Sequence, residues 1–232
     1  MSTHAKPGFF VTFEGIDGSG KSTQLRKLAQ YLETRGEPVT ATRQPGGTPI
    51  GDRIRGLVLN SSTEHLAAMT ELGLMFSDRA QCIAEVIRPA LENGRIVLCD
   101  RFTDSTEAYQ GGGRELGSQV VLQMHQQMCG GLNPDLTILI VPDFHRSISR
   151  ARRRNNNGTS EDEGRFENEA DLFLWRVYEK YVDIAARDSE RVVSIPGNLS
   201  IEAIHEVIVQ IVDNRLTDHR SRFQGSCRLV SH

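Results

Sequence analysis

The chain carries no long apolar run. Stretches such as Leu136 to Pro142 are the best it offers, far short of the roughly 20 residues a membrane-spanning helix needs. It carries little net charge: 27 Lys and Arg against 30 Asp and Glu leave −3, so no basic coat for nucleic acid or anionic membrane is expected. Cysteine is scarce. The four residues, Cys82, Cys99, Cys129 and Cys227, are widely spaced with no C-x-x-C, which argues against a disulfide framework or a cysteine zinc site and for a reducing, cytoplasmic setting. The seven histidines include no H-E-x-x-H. The start, "MSTHAKPG", has no hydrophobic segment of the kind that directs secretion, so none is expected.

What is present suits one sizeable α/β domain: 232 residues, 38% hydrophobic and 25% charged. "GFFVTF", "PVTATR", "RIVLCD", "DLTILIV" and "RVVSI" read as buried strands. Between them lie the helical patterns "STQLRKLAQYLETRG", "HLAAMTELGLMFSDRAQCIAEVIRPALENG" (Pro89 a potential kink) and "IEAIHEVIVQIVDNRL". Strands this apolar, separated by helices, predict a doubly wound parallel five-stranded sheet flanked by helices. Residues 1–216 form the expected single domain, and the polar stretch 217–232 reads as a disordered tail.

Directly after the first strand comes "EGIDGSGKST". Gly15, Ile16, Asp17, Gly18, Ser19, Gly20, Lys21 and Ser22 match G-x-x-x-x-G-K-[ST], followed by Thr23. Its glycines let backbone N–H groups converge on phosphate oxygens at a helix N-terminus, where the dipole favours negative charge. Lys21 would reach the β- and γ-phosphates and Ser22 would offer its hydroxyl to Mg²⁺. This strand–loop–helix context predicts binding of a nucleoside triphosphate.

Further along, "LCDRF" sets Asp100 and Arg101 at the end of a buried strand, where open α/β sheets bind ligands. The aspartate suits Mg²⁺ or its water, the arginine a substrate phosphate. "RQPGGTPIGDRIR" adds Arg43, Arg53 and Arg55, and "SRARRR" adds more arginines. Cations from several separate segments suit a polyanionic substrate.

Taken together, "EGIDGSGKST", "RQPGGT", "DRAQ", "IRPAL" and "DRFTDSTEAYQGGGR", with "NPDLTILI" and "RFENEADLFLWRVYEKY", resemble the thymidylate kinase family over roughly residues 9 to 212. The resemblance implies a P-loop nucleoside monophosphate kinase fold, a lid near residues 150–167, and transfer of the γ-phosphoryl of ATP to dTMP with Mg²⁺. Carried onto this chain, Asp17 would contact the sugar 3′-OH and help order the acceptor phosphate, which Arg101 and Arg55 would hold. Arg79 and Thr106 would meet the thymine base, and Gln110 would border the pocket. Tyr109 would lie under the deoxyribose and crowd out a 2′-OH. Gly18 in the loop resembles the bacterial kind, in which a lid arginine neutralises the transferred phosphoryl group; Arg154 is the first choice and Arg150 the second. A homodimer through helices near 65–92 and 118–130 is also implied.

The sequence departs from the family pattern in places. Gln44 stands where the family has a glutamate in "REPGGT", and Met75, with Phe76 beside it, stands where an aromatic ring stacks on thymine. "NNNGTSEDE" enlarges the lid. A deoxynucleoside kinase would need a carboxylate near Gln44 to activate a neutral 5′-OH, and a guanine-nucleotide switch would need N-K-x-D; the chain offers neither.

Overall fold

The structure, a computed structural model, describes residues 7–60, 66–149, 165, 166 and 169–229. All five expected strands form: β1 (Phe9–Glu14), β2 (Val39–Arg43), β3 (Ile96–Asp100), β4 (Leu136–Val141) and β5 (Val192–Pro196). They pair in parallel in the order β2-β3-β1-β4-β5.

Alternation along β1 assigns its faces. Phe9, Val11 and Phe13 pack with Leu25, Leu28 and Leu32 of α1 (Lys21–Thr34) and with Ile204, Ile208 and Val212 of the closing helix. Phe10 points the other way, toward Leu72, Phe76 and Val121. Burying each such phenylalanine contributes about 2–3 kcal/mol. A third cluster joins Leu139 and Val192 to Val177, Tyr181 and Ile184 of α8 (Asp171–Arg187).

Helix α2 (Pro49–Leu59) follows the "RQPGG" turn, which contains a cis Gln44–Pro45 bond. Thr48 caps α2, its Oγ1 accepting from Gly51 N at 2.9 Å, and Pro49 opens it. The next long pattern forms α3 (Ala68–Cys82) and α4 (Arg88–Glu92), joined by a π turn over Ile83–Ile87. Pro89 lies just beyond; its missing N–H and its ring disfavour a regular turn there. A second π segment, Glu107–Gly113, continues the short α5 (Thr103–Thr106) and precedes α6 (Ser118–Cys129). Helix α8 presses on this segment so closely that a Cβ on Gly113 would sit 2.5 Å from the Phe173 ring. Helix α7 is described over 144–149.

Within the stretch expected to be a disordered tail, residues 217–229 are helical. Helix α9 runs Ile201–Leu229, because polar residues beyond 216 have partners. His219 Nε2 lies 2.9 Å from Gly8 O, and Arg220 donates twice to the Glu37 carboxylate at 2.9 and 2.6 Å. Cys82, Cys99 and Cys129 are buried and free of disulfides, and no helix of the described residues is long and apolar enough to cross a membrane.

Candidate active site

A cleft of about 630 Å³ opens at the carboxyl ends of β1 and β3, where ligands bind in open parallel sheets. The β1–α1 loop forms its floor. Gly15 has φ 133°, and a Cβ there would meet Ile140 O at 2.5 Å; only glycine fits. Gly20, at φ 99°, starts α1 and aims its first N–H groups at the cleft mouth.

Lys21 is 5% exposed and curls back over the loop, donating to Ile16 O at 2.9 Å and Ser19 Oγ at 3.4 Å. Burial, and then the Arg101 guanidinium, push its ammonium down to a pKa of about 8 against the pull of Asp17, Asp100 and Glu14. Ser22 Oγ donates to Asp100 Oδ2 at 2.5 Å. A hydroxyl and a carboxylate meeting at the cleft mouth fit a Mg²⁺ that keeps most of its water. Among the described residues no three His, Cys, Asp or Glu side chains gather as an all-protein metal cage.

Arg101 is the centre of the site. Its Nη2 donates to Asp17 Oδ1 at 2.6 Å and to the Tyr109 hydroxyl at 3.3 Å. Its Nη1 donates to Gly15 O, Ser105 Oγ and the Tyr181 hydroxyl at 3.0–3.1 Å. Its backbone sits at φ 69°, a region costly for a non-glycine residue. Burial raises the Asp17 pKa, but Arg101 and then Lys21 outweigh it and hold the carboxyl far below the usual range. Tyr109 donates to Asp17 Oδ2 at 3.0 Å, tying the three together.

Beneath them lies Glu14, fully buried, accepting from Phe102 N at 2.6 Å, from Ser105 and from the Tyr181 hydroxyl at 3.2 Å. Burial, reinforced by Asp104, raises its pKa to about 7 in spite of those donors and Arg101.

The remaining candidate residues divide between wall and backing. Asp17, Gly18, Gly20, Ser22, Thr23, Arg55, Met75, Asp100, Tyr109 and Gln110 line the cleft. Phe76 does not: one position along α3 is about 100° around the helix, and it is fully buried with Phe10 and Phe102. Met75 therefore takes the wall position. Arg79 and Thr106 are buried behind the wall. Arg79 donates from Nε to Gln44 Oε1 at 2.8 Å and from Nη2 to Thr106 Oγ1 at 2.9 Å and Phe102 O at 3.1 Å. Gln44 thus supplies a neutral acceptor to a buried guanidinium. Arg79 Nη1 and Gln44 Nε2 have no hydrogen-bond partner among the described residues. Arg150, Arg154 and the "NNNGTSEDE" insertion lie outside the described residues.

Sequence reading missed Ser105, Leu59, Arg26 and Phe166 as lining residues. Phe166 meets the Tyr109 ring edge-on at 5.2 Å. It follows "EGR" in the sequence, and only its place beside Tyr109 in space reveals it.

Comparison with known proteins agrees with this architecture. The family profile described as Thymidylate kinase matches residues 13–208. A thymidylate kinase of Pelobacter propionicus is 45% identical over 212 residues, covering 91% of this chain and 97% of that protein. One from Geobacter sulfurreducens is 43% identical over 209 residues, covering 90% and 98%. The crystal structure of thymidylate kinase from Ehrlichia chaffeensis superposes with a TM-score of 0.71 at 30% identity, over 89% of this chain and 99% of that one. With its phosphate-binding loop, its Asp17–Arg101–Tyr109 cluster and relatives matched almost end to end, the chain belongs to the thymidylate kinase family.

Proposed function

We propose that this protein phosphorylates dTMP to dTDP at the expense of ATP, with the triphosphate on the β1–α1 loop and the monophosphate against Arg101, Tyr109 and Gln110. The observation that carries the reading is Arg101: a guanidinium held at a strand end by Asp17, Tyr109 and Ser105, beside Lys21. An acceptor that is already an anionic phosphate needs no general base, so the chain's work is positioning and charge neutralisation.

Lys21 exchanges Ile16 O and Ser19 Oγ for the β- and γ-phosphates of ATP. Arg101 and Arg55 hold the acceptor phosphate in line, and Asp17 orients the sugar 3′-OH. Ser22 and Asp100 are the residues that would hold Mg²⁺, which supplies charge neutralisation on the phosphates. Met75 packs on the thymine through its polarizable sulfur, and Arg79 and Thr106, bonded to each other behind the wall, back that side of the pocket. Tyr109, stiffened by Phe166 and by its hydrogen bond to Asp17, excludes a 2′-OH. A lid arginine, Arg154 or Arg150, completes the phosphoryl site.

Apolar side chains left exposed on α2, α3 and α6 (Leu57, Met69, Leu122 and Met128) support a homodimer through this side; sedimentation should then report twice the 25.9 kDa chain mass. The setting is the cytoplasm. The direct test is chromatography of products from dTMP and Mg·ATP: dTDP and ADP should appear in equal amounts, and ATP turnover without dTDP would refute the assignment.

A further inference from the structure

The cleft's outer wall rests on a carboxylate outside the cleft. Glu71 of α3 is fully buried. It accepts from Gln110 Nε2 at 2.8 Å, from Arg114 Nε and Nη2 at 3.1 Å each, and from Arg165 Nη2 at 2.8 Å. Both arginines reach further. Arg114 meets Glu169 at 2.5 Å and lies 4.5 Å from the Phe173 ring centre. Arg165 lies 5.2 Å from the Phe166 ring centre and donates, from Nη1 and from its backbone N, to the carbonyls of Val58 and Leu59 at 3.1 Å.

Leu59, Gln110 and Phe166 all line the cleft, from segments far apart in sequence. Each is held by Glu71 directly or through one arginine. Two carboxylates and two guanidiniums meet here, so the buried charge is balanced. An apolar cluster of similar volume would serve stability as well or better. What such a cluster could not supply is direction: planar guanidiniums fix angle as well as distance.

We propose that Glu71 is a positioning residue for the nucleoside-facing wall, setting Gln110, Leu59 and Phe166 for the acceptor without touching it. This rests on the reading that dTMP occupies the cleft beside Tyr109. The loop that holds ATP is fixed separately, through Lys21 to Ile16 O and Asp17 to Arg101. Loss of the Glu71 charge therefore falls on the acceptor and spares the donor.

Glu71→Gln keeps the shape and one acceptor oxygen while removing the charge. Small misplacements far from the chemistry can cost up to about a hundredfold, so KM for dTMP should rise about tenfold or more while KM for ATP stays within about twofold. The kcat/KM preference for dTMP over UMP should narrow in parallel. Arg165→Gln, a milder change nearer the rim, should show the same split to a smaller degree. Because both act through one link, the double variant should be no worse than about threefold beyond Glu71→Gln. If Glu71→Gln fails to fold, the split in Arg165→Gln decides the question alone. A purely structural role would lower Tm and the active fraction with both KM values unchanged, and that result in folded Arg165→Gln overturns the proposal. Calorimetric titration of the native protein with dTMP separates the two readings. Native binding with unaltered affinity in the variants removes only the role of Glu71; absence of native binding removes the substrate reading and this one with it.

Discussion

Binding of ATP should draw a proton from solution, and Lys21 should be where it lands. The ammonium is buried beside Arg101, which brings its pKa from 10.5 to about 8. That difference corresponds to about 3 kcal/mol of disfavoured charge. A triphosphate laid across the loop restores the charged form. If the bound-state pKa is again well above 9, uptake per ATP should be about 0.1 proton at pH 7, 0.5 at pH 8 and 0.9 at pH 9. Before phosphate arrives the sign for stability is fixed as well. A lysine whose folded-state pKa is depressed destabilises the fold below about pH 8, and stability rises with pH through 8 toward 10.5 as the unfolded chain binds the extra proton. Titration calorimetry in two buffers of different ionisation enthalpy at each pH gives uptake from the slope of observed heat against buffer enthalpy. Lys21→Arg stays charged throughout and should show no pH-dependent uptake. Equal slopes in native and Lys21→Arg proteins, or proton release near pH 8, would refute the reasoning.

Other consequences follow from the same geometry. Tyr109→Ala should erode discrimination against ribonucleotides, raising the UMP-to-dTMP ratio of kcat/KM by about tenfold or more; a ratio unchanged from native counts against the steric role. Glu14, raised from 4.5 to about 7 by burial and Asp104, binds a proton more tightly folded than unfolded. Its contribution is complete below about pH 4.5 and is lost as pH rises through 7, so Glu14→Gln should flatten that fall in urea-unfolding free energy. Parallel pH profiles for the two proteins would contradict it. Gly113→Ala forces a methyl into Phe173 and should lower stability by about 1–3 kcal/mol in thermal melts, and an unchanged Tm would show that α8 gives way freely.

The sheet was legible because parallel strands buried on both faces announce themselves locally. Val11, Leu98 and Ile138 need no knowledge of their partners to read as strand. The β1–α1 loop was legible for the same reason, since its glycine pattern lies in eight consecutive residues between strand and helix. Helix α2 carries a local signal of its own, Thr48 followed by Pro49 as cap and first turn. Polarity alone does not separate disorder from the helical run that reaches Leu229, where Arg220 and Glu37 find each other across 183 positions. Distance along the chain also hid Glu14, Glu71 and Phe166. Each owes its place to hydrogen bonds or ring contacts spanning 39 to 167 residues, or to a neighbouring ring, and no periodicity marks such pairs. Adjacency misled at Phe76, where one step along α3 turns a wall residue into core.

The cleft's choice of acceptor decides whether Arg101 and Tyr109 hold a deoxyribonucleoside monophosphate. ADP formation from Mg·ATP should be measured side by side with dTMP, dUMP, dCMP, dGMP, UMP and thymidine. Strong turnover with dTMP, weaker with dUMP and almost none with UMP or thymidine is the expected pattern. Preferred turnover of another monophosphate, or turnover of thymidine itself, would contradict the assignment of Arg101 and Tyr109 to a deoxyribonucleoside monophosphate and direct attention first to Gln44 and Met75.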